Sequence, residues 1–173
     1  EISVINGGNA SIYSFDNSGN SNGTTVIKSG AGTLTLVNAM TSLTNGFTLQ
    51  EGTLVANVAG ALGTNGKLTV SGRGTIQGVS DAFKNITLQT GAYLTVGIDA
   101  NLLAPASLTT TGTASIQGNV AFASASNIRL ADLLTITGSV AFDGPATVNL
   151  VDFKGGSLVA DREYELIRAG SLP

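Results

Sequence analysis

The carboxylates are the side chains of this sequence that could perform acid–base catalysis, because the chain contains no histidine and no cysteine. Asp132 and Asp152 lie 20 residues apart, and Asp161-Arg162-Glu163 sets a cation between two further carboxylates. Clustered carboxylates of this kind would suit a polysaccharide-cleaving enzyme. The alternative interpretation is that they are solvated corner residues, as most charged side chains are.

Other patterns that could bind a ligand are incomplete. Gly30-Ala31-Gly32 lacks the following helix that a phosphate-binding loop needs, so it predicts a tight corner. The sequence also has no Gly-Gly-x-Gly-x-Asp repeat of the kind that binds calcium in solenoids. We therefore predict no catalytic residue, no cofactor and no metal site, and we expect the protein not to be an enzyme.

Short polar patterns recur without forming a regular array. Thr-x-Thr triplets begin at Thr33, Thr109 and Thr135. Triplets of the glycosylation acceptor type begin at Asn9, Asn22 and Asn85. An ice-binding surface would need a threonine triplet in every repeat, and residues 53–55 and 75–77 do not supply one. We interpret the asparagine triplets as chance occurrences.

Charge and composition exclude several classes of function. The 173 residues carry 8 Lys and Arg against 11 Asp and Glu, a net charge of −3, with no basic stripe that could neutralise phosphates. We therefore expect no nucleic-acid partner. Hydrophobic residues make up 42% of the chain and charged residues only 11%, which excludes charge-driven disorder and favours a packed core. No apolar run approaches the roughly 20 residues of a membrane-spanning helix.

Segments rich in Val, Ile, Leu and Thr recur about every 20 residues. One track of apolar pairs begins at Val26, Phe47, Leu68, Ile86, Leu108, Ile128 and Val148. A second track follows through Leu34/Leu36, Leu54/Ala56, Ile76, Leu94/Val96, Ile116, Leu134/Ile136 and Leu158, and a third through Leu62, Phe83, Leu103, Phe122 and Phe142. Three tracks with one period predict an all-β fold, a β-solenoid with three short strands in each rung.

Alternation along each strand predicts which residues face the core. The inward positions are Leu34, Leu36, Leu54, Leu68, Val70, Ile76, Ile86, Leu88, Leu94, Val96, Ile116, Ile128, Leu130, Ile136, Val148 and Leu150. Rungs about 4.8 Å apart would stack these side chains, with Phe122 over Phe142. Residues 26–173 are expected to form about seven rungs of a single domain, a fragment of a longer protein, whereas the turn-rich residues 1–25 predict an irregular or incomplete first rung.

Residues 29–63 carry three motifs in order. Gly-x-Gly-Thr-Leu-Thr-Leu at 30–36 is followed by x-x-Gly-Thr-Leu at 50–54 and by Ala-Leu-Gly at 61–63. The segment resembles the autotransporter-associated β-strand repeat of passenger domains in type V secretion. The residues that carry this resemblance are Gly30, Gly32, Thr33, Leu34, Leu36, Gly46, Gly52, Thr53, Leu54, Leu62 and Gly63. Residues 164–170 resemble the strand that closes such a repeat block.

The resemblance implies a right-handed parallel β-helix in an exported bacterial surface protein. Its expected role is that of a rigid stalk that promotes passenger folding and secretion across the outer membrane. The implied location is the cell surface or the medium, and the implied partner is the protein's own C-terminal outer-membrane barrel, which is not in this chain. Exposed end rungs would also permit end-to-end self-association.

Two other functions stay open at this point. The first is an adhesin or toxin module that binds a host cell-surface protein or glycan through an outer face such as the Ser/Thr/Asn-rich residues 109–126. The second is a polysaccharide-degrading β-helix enzyme that uses the carboxylates named above.

Overall fold

A computed structural model describes residues 2–14, 25–40, 43–63, 65–79, 82–97, 101–103, 107–122, 124–142, 144–150 and 165–171. Their secondary structure is nearly all β. In chain order the strands are β1 (Ile2–Ser3), β2 (Asn9–Ile12), β3 (Val26–Ser29), β4 (Thr33–Leu36), β5 (Phe47–Ala56), β6 (Lys67–Gly78), β7 (Asn85–Leu88), β8 (Tyr93–Val96), β9 (Asn101–Leu103), β10 (Ser107–Thr110), β11 (Ala114–Gln117), β12 (Asn119–Phe122), β13 (Asn127–Leu130), β14 (Leu134–Phe142), β15 (Thr147–Leu150) and β16 (Ile167–Ser171).

The strands stack on three faces, and every pairing between described strands is parallel. Face A contains β1, β3, the first part of β5 and of β6, then β7, β10, β13 and β15. Face B contains β2, β4, the second part of β5 and of β6, then β8, β11, the first part of β14 and β16. Face C contains β9, β12 and the end of β14. The fold is therefore the expected parallel β-solenoid, with about six turns.

The first predicted track is a continuous column on face A. Each of its members pairs in register with the next, from Val26 on Phe47 to Ile128 on Val148. Parallel stacking brings equivalent residues of successive rungs directly over one another, so a fixed period in sequence becomes a column of contacts in space. The 20-residue period is thus confirmed as the length of one rung.

The predicted core is confirmed for fourteen of its sixteen residues, and Val148 is the clear error. Its side chain is 44% exposed, and Leu150 is only partly buried against the core. Both residues lie in β15, which pairs with β13 on one side and, among the described strands, with none on the other. The alternation placed Val148 on the inner face, but burial also needs a rung above it.

The third predicted track is a strand only in part. Leu62 and Phe83 are both buried, yet they lie in turns and irregular chain between the strands of faces A and B. Further along, the register pairs Leu103 with Ala121 and not with Phe122, so the predicted column is offset by one residue there. An apolar anchor at a corner gives the same sequence signal as a strand residue, because both repeat once per rung.

The second track ends differently from the prediction. After Leu134 and Ile136, face B continues with Ile167 and Ala169 of β16, which pair with them in register. Leu158, the residue expected at this position, lies outside the described residues. The strand expected near the end of the chain is β16, and it forms the last described layer of face B.

The predicted aromatic stack is present where face C ends. The ring centroids of Phe122 and Phe142 are 5.2 Å apart, with 20° between the ring planes. Phe122 is fully buried, whereas Phe142 is 43% exposed.

We expect Phe142→Ala to lower the free energy of unfolding by about 1–2 kcal/mol. The variant loses the burial free energy of roughly half of the ring and the stacking interaction with Phe122. Urea unfolding followed by circular dichroism measures this loss. A loss near zero would show that the stack does not stabilise this end of the solenoid.

Candidate functional site

The most unusual residue of the core is Lys28, whose side chain is fully buried. It stands on face A at an inward position, paired with Ile2 on one side and Leu49 on the other. Its Nζ turns into the corner between β3 and β4 and donates hydrogen bonds to the backbone oxygens of Ser29 at 2.9 Å, Gly30 and Glu51 at 2.9 Å. The ammonium therefore ties the corner of one rung to the backbone of the next.

Burial sets the electrostatics of this lysine. Removal from water lowers the pKa of Lys28, and the nearby carboxylate of Glu51 partly opposes that effect by raising it. The amine is surrounded by backbone carbonyls, three of which accept its hydrogen bonds. Its geometry is that of a structural clamp.

The residues that carry the family resemblance meet around this clamp and in the corners next to it. Gly30 and Gly32 form the corner between β3 and β4, and β4 contains Thr33, Leu34 and Leu36. Gly46 directly precedes β5, which contains Gly52, Thr53 and Leu54. The turn that follows β5 contains Leu62 and Gly63. Gly52 has a φ of +78° and passes so close to the preceding corner that a Cβ atom would lie 2.4 Å from the Gly30 oxygen. The short approach between rungs explains why this position needs glycine.

Of the predicted carboxylate pair, Asp132 lies among the described residues. Asp132 accepts a hydrogen bond from the Thr113 hydroxyl at 2.8 Å and another from the backbone N–H of Leu133 at 2.8 Å. These contacts fix it at the corner before β14. Asp152 and the group Asp161-Arg162-Glu163 lie outside the described residues.

The threonine and asparagine triplets are spread over different faces. Thr33 and Thr35 pair with Thr53 and Val55, and Thr109 pairs with Thr87 and Arg129, so no two of the Thr-x-Thr triplets stack on each other. Asn85 lies in β7, where its amide nitrogen donates to the backbone oxygen of Asn65. Asn9 begins β2 with an exposed side chain, and Asn22 lies outside the described residues.

Comparison of the chain with protein-family models, with curated proteins and with solved structures finds no match. Within the ranges that the structure describes, no helix has the length and apolar character needed to span a membrane.

A groove lies on the outer side of face B and is here called the face B groove. Its volume is about 420 Å³, and it is lined by Ala31, Gly52, Thr53, Arg73, Gly74, Thr75, Tyr93, Thr95 and Gln117. A smaller recess, about 320 Å³, lies on face A around Lys67, Asn85 and Ser107. In that recess the Ser107 hydroxyl donates to the side-chain oxygen of Asn85 at 2.9 Å, so two of its polar groups already satisfy each other.

Two columns of side chains form the walls of the face B groove. Arg73 and Tyr93 pair in register along one wall. Thr53, Thr75 and Thr95 stack in successive rungs along the other. Gly52 and Gly74 lie between the walls, and their backbone forms the floor of the recess.

Contacts within and between the walls hold the groove in shape. The guanidinium carbon of Arg73 lies 5.0 Å from the centre of the Tyr93 ring, a cation–π contact. The Tyr93 hydroxyl donates to Oε1 of Gln117 at 3.0 Å, and the Thr95 hydroxyl donates to the same oxygen at 3.4 Å. Both hydrogen bonds use the oxygen of the amide, so Gln117 offers its NH₂ group to a ligand.

Sequence reasoning missed both the clamp and the groove. Lys28 stands in a column of Leu and Val, where the period alone predicts an apolar residue. A charged residue at an inward position next to Gly-x-Gly was the available signal. The groove had no signal in the sequence, because Arg73, Tyr93 and Gln117 come together only through the register of three rungs.

Proposed function

We propose that this chain is a non-enzymatic β-solenoid segment of an exported bacterial surface protein, serving as a rigid stalk that promotes folding outside the cell. The observation that carries this proposal is the unbroken parallel stack, in which each rung buries its apolar face on the previous one. A rung that has emerged from a secretion pore could gain burial free energy at once on the rung already folded. Folding of this kind would favour outward movement of the chain.

The corner glycines and the family motif support the same proposal. The residues that resemble the autotransporter repeat lie where consecutive rungs touch backbone to backbone, at Gly30, Gly32 and Gly52. A motif that specifies stacking is what a folding and stalk segment needs. The proposed partner is an outer-membrane barrel of the same protein, and the proposed location is the cell surface or the medium.

End-to-end self-association is part of this proposal. Among the described strands, the outermost two of face A are β15, with Val148 44% exposed, and β1, next to the exposed Ile5. Wherever a parallel stack of this kind ends, its last strand presents backbone groups whose direction matches that of the first strand of another copy. A second copy stacked head to tail would pair them.

The test is export of the chain between a signal peptide and the barrel of a type V reporter. Ile86→Asp places a carboxylate in the core column of face A, and we expect surface display to fall at least about fivefold because the next rung cannot stack on it. Display is measured by an antibody to an N-terminal epitope on whole cells.

The matched control is Thr87→Asp, which adds the same charge one residue later, where the side chain of β7 is only half-buried. We expect its display to equal that of the unchanged chain. Equal display of the core variant and the control would overturn the folding and export role.

A further inference from the structure

The face B groove has the features of a binding site, and they go beyond what a stalk needs. Arg73 is the single charged residue among those that line it. It pairs in register with Glu51, but across the described residues no carboxylate lies within ion-pair distance of Arg73. The guanidinium lies instead over the ring of Tyr93 in the next rung, and the Arg73 side chain is exposed.

The wall opposite Arg73 repeats its polar groups at the rung spacing. Thr53, Thr75 and Thr95 offer one hydroxyl every 4.8 Å or so, and Gln117 adds an amide at the end of the row. A row of this spacing suits an extended ligand that carries hydroxyl groups on each unit. Sugars in a linear oligosaccharide have this character.

The charge of the ligand follows from the single arginine. A planar guanidinium pairs with a carboxylate through two parallel hydrogen bonds, which a lysine cannot do. A chain with a net charge of −3 and one cation in the groove would repel a densely charged polyanion. The ligand should therefore carry isolated carboxylates among neutral, hydroxyl-bearing units.

We propose that the face B groove binds a weakly acidic oligosaccharide, with the guanidinium of Arg73 on a carboxylate and the Thr53–Thr75–Thr95 row and Gln117 on sugar hydroxyls. The ring of Tyr93 supports Arg73 from below, and its hydroxyl positions Gln117. Because these side chains already contact one another, little ordering is needed on binding.

The probe is a hyaluronan tetrasaccharide, in which uronic acid and neutral amino sugar alternate. Titration of the isotope-labelled protein followed by NMR should move the amide signals of Arg73, Tyr93, Thr95 and Gln117. Arg73→Gln should weaken binding at least about tenfold, since a hydrogen bond to a charged group contributes about 1.5–3 kcal/mol. Arg73→Lys, which keeps the charge and loses the fork, should weaken it by about threefold.

Two controls distinguish binding in the groove from unspecific electrostatic attraction of the ligand to the protein surface. Arg129→Gln removes an exposed arginine from the outer side of face A and should leave binding unchanged. The methyl ester of the same tetrasaccharide has the sugars without the charge and should bind at least about tenfold more weakly. Thermal unfolding of Arg73→Gln should match that of Arg129→Gln, which shows that both variants fold.

Several results would overturn the proposal. They are no saturable binding of hyaluronan, equal binding of acid and ester, equal loss in the Arg73 and Arg129 variants, and tighter binding of a heparin tetrasaccharide that both variants weaken alike. The last result would indicate unspecific adsorption of a polyanion. None of them bears on export, which the Ile86→Asp experiment tests separately.

Discussion

Gly52→Ala should lower the free energy of unfolding by more than about 4 kcal/mol, a large loss for the addition of a single methyl group. Two effects add at this position. The φ of +78° costs a residue with a side chain about 1–2 kcal/mol. The new Cβ would also lie 2.4 Å from the Gly30 oxygen, 2.5 Å from the Gly32 oxygen and 2.8 Å from Nζ of Lys28. The first two atoms are backbone and cannot move without shifting a rung.

Gly91→Ala is the matched control for this experiment. Gly91 has the same φ of +78°, but nothing lies within 4 Å of the position of its Cβ. Gly91→Ala should lower the free energy of unfolding by about 1–2 kcal/mol, from the backbone conformation alone. Urea unfolding of both variants separates the two effects, and equal losses would show that contact between rungs at the corner adds nothing.

Lys28→Met should lower the free energy of unfolding by about 3–5 kcal/mol, because buried carbonyl oxygens lose a donor. The oxygen of Ser29 also accepts from the backbone N–H of Val4 at 3.0 Å, so the main cost arises at Gly30 and Glu51. Methionine preserves the length and apolar stem of the side chain, which limits the change to the ammonium. The control Lys67→Met, at an exposed position of β6, should change stability by less than about 0.5 kcal/mol.

The same pair of variants has a pH signature. Because burial lowers the pKa of Lys28 in the folded protein below 10.5, the unfolded chain holds this proton more tightly. The contribution of this group to the free energy of unfolding should therefore rise as the pH increases through the window just below 10.5. Unfolding measured across this window should show the rise in the unchanged protein and in Lys67→Met, and its absence in Lys28→Met. A rise in all three would assign it to another group.

The sequence predicts the repeat well because one physical constraint repeats with it. A residue such as Leu68 must be apolar for the same reason as Phe47 and Ile86, since each is buried between its neighbours in one column. The period therefore identifies the stacking and most of the core. It does not identify which residues lack a covering rung, and so it predicts an inward, buried Val148 although no described strand covers β15 on its far side.

The groove could not be predicted because it depends on register, not on period. Between β6 and β8, Gly74 pairs with Leu94, so a residue without a side chain stands beside a large apolar one. A Cβ on Gly74 would lie 2.4 Å from Cδ2 of Leu49, which shows that the core fills the inner side of this position. A one-residue change in rung length would move Arg73 away from Tyr93, and rung lengths in this chain vary.

The parallel stack also determines how the molecule carries load. Hydrogen bonds between rungs run along the axis of the solenoid, whereas the covalent chain runs around it. A pulling force along the axis would therefore load the hydrogen bonds of one rung at a time, beginning at the end to which the force is applied. The chain would lengthen as each rung unfolds in turn. Bending or squeezing from the side would instead meet the packed interior of many turns together. Such a body is stiff as a spacer and yet extends gradually when its two ends are drawn apart.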